Sequence, residues 1–132
     1  MFLDQLNSKE QEAFLSLSVH AAKANGVVEE EEKDMIEEYC REMGISFFDA
    51  ENVIPIEKVV EIYADSEIQC RKIVLLEILG LVYADGTYDV KEKEFVRNFA
   101  QNICLDPETV EKQTELIVKY LALVKEMAES VQ

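Results

Sequence analysis

The chain has 132 residues, of which 48% are hydrophobic, and its formal net charge at pH 7 is −15. This length and apolar content are sufficient for one domain with its own core, and they argue against disorder. The charge argues against binding to nucleic acid or anionic lipid, because both depend on Lys and Arg side chains. It favours partners of the opposite sign, either divalent cations or basic protein surfaces.

Targeting signals and cysteine pairs give no indication of a membrane or secreted protein. The longest apolar stretch, Ile73 to Val82, is interrupted by Glu77 and is shorter than the roughly 20 residues of a membrane span. The first residues lack the basic and apolar segments of a secretion signal. Cys40, Cys70 and Cys104 form no C-x-x-C pair, which favours reduced structural thiols. We expect a cytoplasmic protein without membrane insertion.

The first two predicted elements are amphipathic helices joined by a turn. Ser8 and Gln11 form a capping box that opens the first helix, and Asn25-Gly26 ends it. The second helix is predicted over residues 30–43, with Gly44 as its C-terminal cap.

Two short helices and a central one are predicted next. The short helices cover Ser46 to Val53 and Pro55 to Tyr63, with the proline in a first helical turn. The central helix begins at Asp65 or Ser66, and its stretch from Ile73 to Val82 is apolar almost all round. Such a pattern indicates burial from several sides, so we expect this helix to be the most buried element.

The last two helices have clear start signals. Asp89 with Glu92 caps the first of them, and Asp106-Pro107 opens the second. The final helix carries an apolar seam at heptad spacing, which we interpret as core in preference to a dimer zipper. The seam consists of Val110, Thr114, Ile117, Leu121, Val124, Ala128 and Val131. No segment has the alternation of a strand, so the sequence predicts an all-α bundle of about seven helices.

The chain contains the same sequence pattern twice, each time where one predicted helix ends and the next begins. Ala24-Asn25-Gly26 followed by Glu32-Lys33 is repeated sixty residues later as Ala84-Asp85-Gly86 followed by Glu92-Lys93. We therefore predict a single domain, residues 1–132, built from two duplicated helical hairpins. The expected divisions are repeat one at about 12–45, a connector at 46–65, repeat two at about 66–105 and a C-terminal helix at 107–131.

The second turn has part of an EF-hand pattern. With Gly86 as position six of such a loop, Asp85 falls at position five and Glu92 at the bidentate position twelve. Positions one and three fall on Leu81 and Tyr83, which provide no carboxylate. Half of the ligand set of a calcium loop is therefore missing.

Two interpretations of these acidic turns remain open. The side chains either cap the following helices, or they form a weak calcium or magnesium site. The candidate metal ligands are Asp85, Asp89 and Glu92 in the second copy, and Asn25, Glu29 and Glu32 in the first. Asn25 lacks the carboxylate of Asp85, so we expect the first copy to bind more weakly.

An acidic helix face gives a second candidate site. It consists of Glu30, Asp34, Glu37 and Glu38, and it is either a solvated surface or a docking surface for a basic partner. His20, the single histidine, has no nucleophile near it in sequence, and we expect it to pack partly buried. No catalytic site is predicted.

The duplicated A-D-G turn with an acidic helix start resembles the tellurite-resistance TerB family and the related N-terminal domain of DjlA-type membrane co-chaperones. The resemblance covers roughly Glu12 to Leu121, and Tyr83 through Glu92 carries its best match. It implies a compact, duplicated, all-helical domain of stress-response systems, proposed to bind metal or membrane-associated partners. It does not imply an enzyme.

Three functional hypotheses follow from the residues and the resemblance. The first is a non-enzymatic TerB-like scaffold in a stress-response or envelope-associated assembly, acting through its acidic surface as a monomer or weak dimer. The second is a low-affinity calcium or magnesium sensor. The third is acidic mimicry of nucleic acid towards a basic protein, which gives the repeats no role.

Overall fold

The structure, a computed structural model, describes residues 1–84 and 89–132. Within these residues it contains six α-helices, a 3-10 turn at Leu3–Gln5 and no strand, so the predicted all-α class is confirmed. The helices are α1 (Ser8–Ala22), α2 (Glu30–Met43), α3 (Ile56–Ala64), α4 (Ile68–Val82), α5 (Val90–Asn102) and α6 (Pro107–Ser130).

The capping box of α1 lies one residue before the predicted one. Asn7 Oδ1 accepts a hydrogen bond from the Glu10 amide at 2.9 Å, and Glu10 Oε1 accepts one from the Asn7 amide at 3.0 Å. Gln11 instead donates its side-chain amide to the Leu3 carbonyl at 3.1 Å. The negative charge of Glu10 is favourable beside the helix N-terminus, which gives this box an advantage over Ser8 with Gln11.

The predicted helix from Ser46 to Val53 is absent, and this segment is irregular. The Asp49 carboxylate accepts a hydrogen bond from the Glu51 amide at 3.0 Å, and the Asn52 amide donates to the Asp49 carbonyl at 3.2 Å. A side chain that bonds to a nearby amide in this way competes with helix formation. The prediction of a helix after Pro55 is correct.

The central helix begins later than predicted, at Ile68 with Glu67 as its N-cap. Asp65 is the C-cap of α3, and the Ser66 amide donates to the Tyr63 carbonyl at 3.0 Å. Both residues therefore complete the end of α3 and do not start α4.

The two hairpins follow the sixty-residue spacing of the sequence. α1 and α4 have 15 residues each and begin at positions 8 and 68, while α2 and α5 begin at 30 and 90. α3 packs on α1, and α6 packs on α4. That the two hairpins superpose remains a prediction, and residues 85–88 of the second turn lie outside the described residues.

The core forms around α1 and α4. α1 has nine buried residues and α4 has seven, so the prediction that the central helix is the most buried element is wrong. The buried residues of α1 include alanines and the hydroxyl side chains of Ser16 and Ser18, which sequence hydropathy does not assign to a core. The ring of Phe14 packs edge-on against Tyr39 of α2, with 5.0 Å between ring centroids.

The seam of α6 is core only in its first half. Ile117 is buried, and Val110 and Leu121 pack against the core. Val124 and Val131 are exposed, so the interpretation of the whole seam as core is corrected. α6 has 24 residues, about 36 Å, and its second half runs past the helices that cover its first half.

Candidate functional site

A side-chain hydrogen bond joins the turn after α1 to Asp89, the N-cap of α5. Asn25 Nδ2 donates to Asp89 Oδ2 at 2.5 Å, across 64 positions of sequence. Asn25 Oδ1 also accepts from the Val27 amide at 3.0 Å, and Gly26 has a φ of +87°. Glycine adopts this left-handed conformation without strain, and the bond from the Val27 amide holds the Asn25 side chain in place. One candidate ligand from each copy is thus brought into contact.

Two of the predicted acidic ligands, Glu32 and Asp89, cap the helices that follow the turns. Glu32 Oε1 accepts from the Glu29 amide at 2.9 Å, and Asp89 Oδ1 accepts from the Glu92 amide at 2.9 Å. Hydrogen bonds from the Glu92 amide and from Asn25 lower the pKa of Asp89. Glu32 and Glu92 occupy equivalent positions of the two copies and are only 2% and 3% exposed.

These residues alone do not fit a metal site. Within residues 1–84 and 89–132, no three His, Cys, Asp or Glu side chains are grouped closely enough to hold a metal ion. Both oxygens of Asp89 already accept from amide donors. Calcium requires about six or more oxygen ligands. The remaining candidate, Asp85, lies outside the described residues, so the calcium or magnesium site stays a prediction.

The second candidate site lies on the exposed side of α2. Its four predicted residues, Glu30, Asp34, Glu37 and Glu38, are all exposed. Lys33 Nζ lies 3.7 Å from Glu30 Oε2, and Arg41 Nη2 lies 2.6 Å from Glu38 Oε2. The other two carboxylates form no ion pair with any residue in the described part of the chain. They are the strongest points for an external cationic group.

The equivalent helix of the second copy has a different charge. α2 carries seven acidic and two basic side chains, whereas α5 carries two acidic and three basic ones. At the sixty-residue spacing, Asp34 corresponds to Glu94 and Glu37 to Arg97. Because α5 forms the same kind of helix without the acidic excess, the fold does not require the charge of α2.

The single histidine and the three cysteines belong to no group of potential metal ligands in the described part of the chain. His20 is half-buried, as predicted, and its Nε2 lies 2.8 Å from the Ile54 carbonyl oxygen. All three cysteines are free. Burial, together with a hydrogen bond to Glu10, raises the pKa of Cys70 to about 12, which keeps this thiol protonated at neutral pH.

Two features were missed at the level of sequence. Glu77 is 5% exposed, and its Oε2 accepts from the Phe2 amide at 2.7 Å, which fastens the N-terminal segment to α4. A lone carboxylate in an apolar helix was the available signal. The exposed apolar residues of α6 were missed because helical periodicity does not say whether a face has a partner.

The fold and the two candidate sites define a class: an acidic, all-helical domain in which the turn after α1 contacts the start of α5. The family model described as Tellurite resistance protein TerB matches residues 11–115, and the chain belongs to the TerB family. No curated protein and no solved structure is significantly similar to it. Among the described residues, no helix combines the length and apolar character needed to cross a bilayer.

Proposed function

We propose that the protein is a non-enzymatic binding module that holds a basic segment of a partner protein against the acidic face of α2. The assembly that it serves is a cytoplasmic one, associated with stress response or the cell envelope. Membership of the TerB family supports the class of function. The observation that carries the docking surface is the contrast between α2 and α5.

The unpaired carboxylates define where binding energy would come from. Asp34 and Glu37 are one helical turn apart and exposed, so a lysine or arginine side chain reaches both without burying a charge. Exposed charge pairs contribute little each, typically about 0.2–1 kcal/mol. The face therefore favours fast, salt-sensitive association over tight binding.

A fluorescently labelled helical peptide with lysines along one face is a suitable probe. We expect Asp34→Asn to weaken binding about threefold at low salt, since one exposed charge pair is lost. The control is Glu94→Gln, which removes the same charge at the equivalent position of α5 and is expected to change binding less than twofold. Equal losses in the two variants, measured by anisotropy, would assign the binding to overall charge and reject the docking surface.

A weak divalent-cation site at the two turns is the second proposal. The contact between Asn25 and Asp89 brings candidate residues of both copies together, and a cation there would replace the amide donors that Asp89 now accepts from. With its reduced ligand set, such a site would bind calcium with a dissociation constant of about 10⁻⁴ to 10⁻³ M.

Calorimetry with calcium and with magnesium tests this second proposal. Binding is expected to disappear when Asp85→Asn is combined with Glu92→Gln. It is expected to persist in Asp106→Asn, which alters the N-cap aspartate of α6 instead. No heat or localised amide shift at millimolar cation would leave these side chains with helix capping alone.

A further inference from the structure

The second half of α6 exposes an apolar stripe in addition to the seam that is partly buried. Its large side chains recur at steps of four, three and four residues, which places them on one side of the helix. This exposed stripe consists of Leu116, Tyr120, Leu123 and Met127, each between 44% and 53% exposed. Ile117 is the only buried residue of α6, and residues 122–132 are all exposed.

The helix segment around the stripe is electrically neutral in a strongly acidic chain. Residues 116–132 contain two lysines, Lys119 and Lys125, and two glutamates, Glu126 and Glu129. The whole chain has a net charge of −15. This segment therefore provides no net charge to attract a basic or an acidic partner, and it does not repel an identical segment.

The charged residues beside the stripe are complementary to those of a second copy when the two helices are antiparallel. Lys119 and Glu126 directly precede Tyr120 and Met127, so they lie one heptad apart on the same flank of the stripe. When two such helices pair in antiparallel orientation, the same flanks meet. Lys119 of each copy then faces Glu126 of the other, which gives two reciprocal ion pairs.

A parallel pairing loses these contacts. It brings the charged flank of one helix against the opposite flank of the other, which carries Val124 and Val131. The pattern of charge on α6 is thus self-complementary only in the antiparallel orientation.

We propose that a second copy of the chain covers the exposed stripe through antiparallel pairing of two α6 helices, centred near Leu123. Ile117 lies six residues from that centre, so the buried ends of the two helices are about 18 Å apart along the axis. This separation exceeds the screening length of about 8 Å at physiological salt. The acidic bodies of the two copies therefore do not prevent the pairing.

The area of contact makes this a weak dimer. The overlap covers about two heptads of each helix and falls below the roughly 1,200 Å² of a stable interface. We expect weak, concentration-dependent association, in the class of transient complexes. Higher salt is expected to weaken the dimer modestly, because the two ion pairs are exposed and the acidic bodies are already separated by more than the screening length.

Sedimentation equilibrium of the full chain over increasing concentration tests the proposal. We expect the average mass to rise from 15.1 kDa towards twice that value. Leu123→Asp should keep the protein monomeric throughout. Val118→Asp is the matched control, because Val118 is 48% exposed on another side of the same helix and should leave association unchanged. A protein that stays monomeric at every concentration, or equal effects of both variants, would overturn the proposal.

Charge exchange tests the orientation. Lys119→Glu and Glu126→Lys should each weaken association several-fold, because each places like charges opposite one another. The double variant should restore it. Lys119 also forms an ion pair with Glu115 at 3.0 Å within its own helix, and the double variant does not recover that pair. Recovery would therefore report the contact between copies, and a double variant weaker than both single ones would contradict the antiparallel arrangement.

Discussion

The C-terminal ends of α2 and α5 have the same left-handed backbone conformation at equivalent positions, so opposite substitutions at the two positions should change stability in opposite directions. Gly44 has a φ of +71°, and Cys104, sixty residues later, has a φ of +63°. Both residues are followed by the same kind of bond: the Ile45 amide donates to the Cys40 carbonyl at 2.9 Å, and the Leu105 amide donates to the Ala100 carbonyl at 3.0 Å. The same helix-ending turn is thus made once with glycine and once with cysteine.

The expected change in the free energy of unfolding follows from the left-handed backbone conformation alone. A non-glycine residue there costs about 1–2 kcal/mol, and glycine gives back about 0.4–1 kcal/mol through the greater freedom of the unfolded chain. A Cβ added at Gly44 would meet no atom within 4 Å, so no clash adds to the cost. We expect Gly44→Ala to lower the free energy of unfolding by about 1 kcal/mol, and Cys104→Gly to raise it by about 0.5–1 kcal/mol.

Urea denaturation followed by circular dichroism measures both changes. Cys104→Ala is the control, because it removes the exposed thiol and keeps the Cβ, and we expect less than about 0.5 kcal/mol of change. For a chain of this length, 1 kcal/mol corresponds to roughly 3–5 °C in melting temperature. If Cys104→Gly destabilised the protein while Cys104→Ala did not, the strain assigned to position 104 would be refuted.

Two further predictions concern the core and acid stability. Leu75→Ala should lower the free energy of unfolding by about 2–5 kcal/mol, as large core truncations do. Leu116→Ala, at an exposed position, should lower it by less than about 1 kcal/mol. Similar losses in the two variants, measured by chemical denaturation, would contradict the burial assigned to Leu75. Burial raises the pKa of Glu10, but hydrogen bonds from the Asn7 amide and the Ser66 hydroxyl outweigh it and lower the pKa below 4.5. This carboxylate therefore stabilises the fold above about pH 4.5, and the contribution is lost as pH falls through the lowered pKa. Denaturation between pH 5 and about 3 should show a shallower loss in Glu10→Gln, and identical profiles would rule the contribution out.

Local signals in the sequence were sufficient for several elements. The bounds of α2 were predicted correctly, because an acidic first turn and a C-terminal glycine are read from neighbouring residues. The start of α6 was equally clear from Asp106-Pro107. The predicted helix after Ser46 is absent, which shows the limit of this reasoning. The side chain of Asp49 can bond to a nearby amide in a turn, and local preferences do not decide between that turn and a helix.

Contacts across the chain could not be predicted from the same signals. The hydrogen bond from Asn25 to Asp89 depends on how two hairpins pack, and no pattern in either turn specifies it. The exposure of α6 beyond Ile117 is a similar case, because helical periodicity gives the faces of a helix without saying where its neighbours end.

The central claim, that α2 and not α5 carries the docking surface, is tested most directly by amide chemical shifts of the full chain. The probe is the same lysine-faced helical peptide, added stepwise at low salt. The account predicts that the largest shifts fall on residues 31–38 of α2 and disappear as salt is raised. Shifts of equal size on the equivalent residues 91–98 of α5, or shifts spread evenly over the surface, would contradict it.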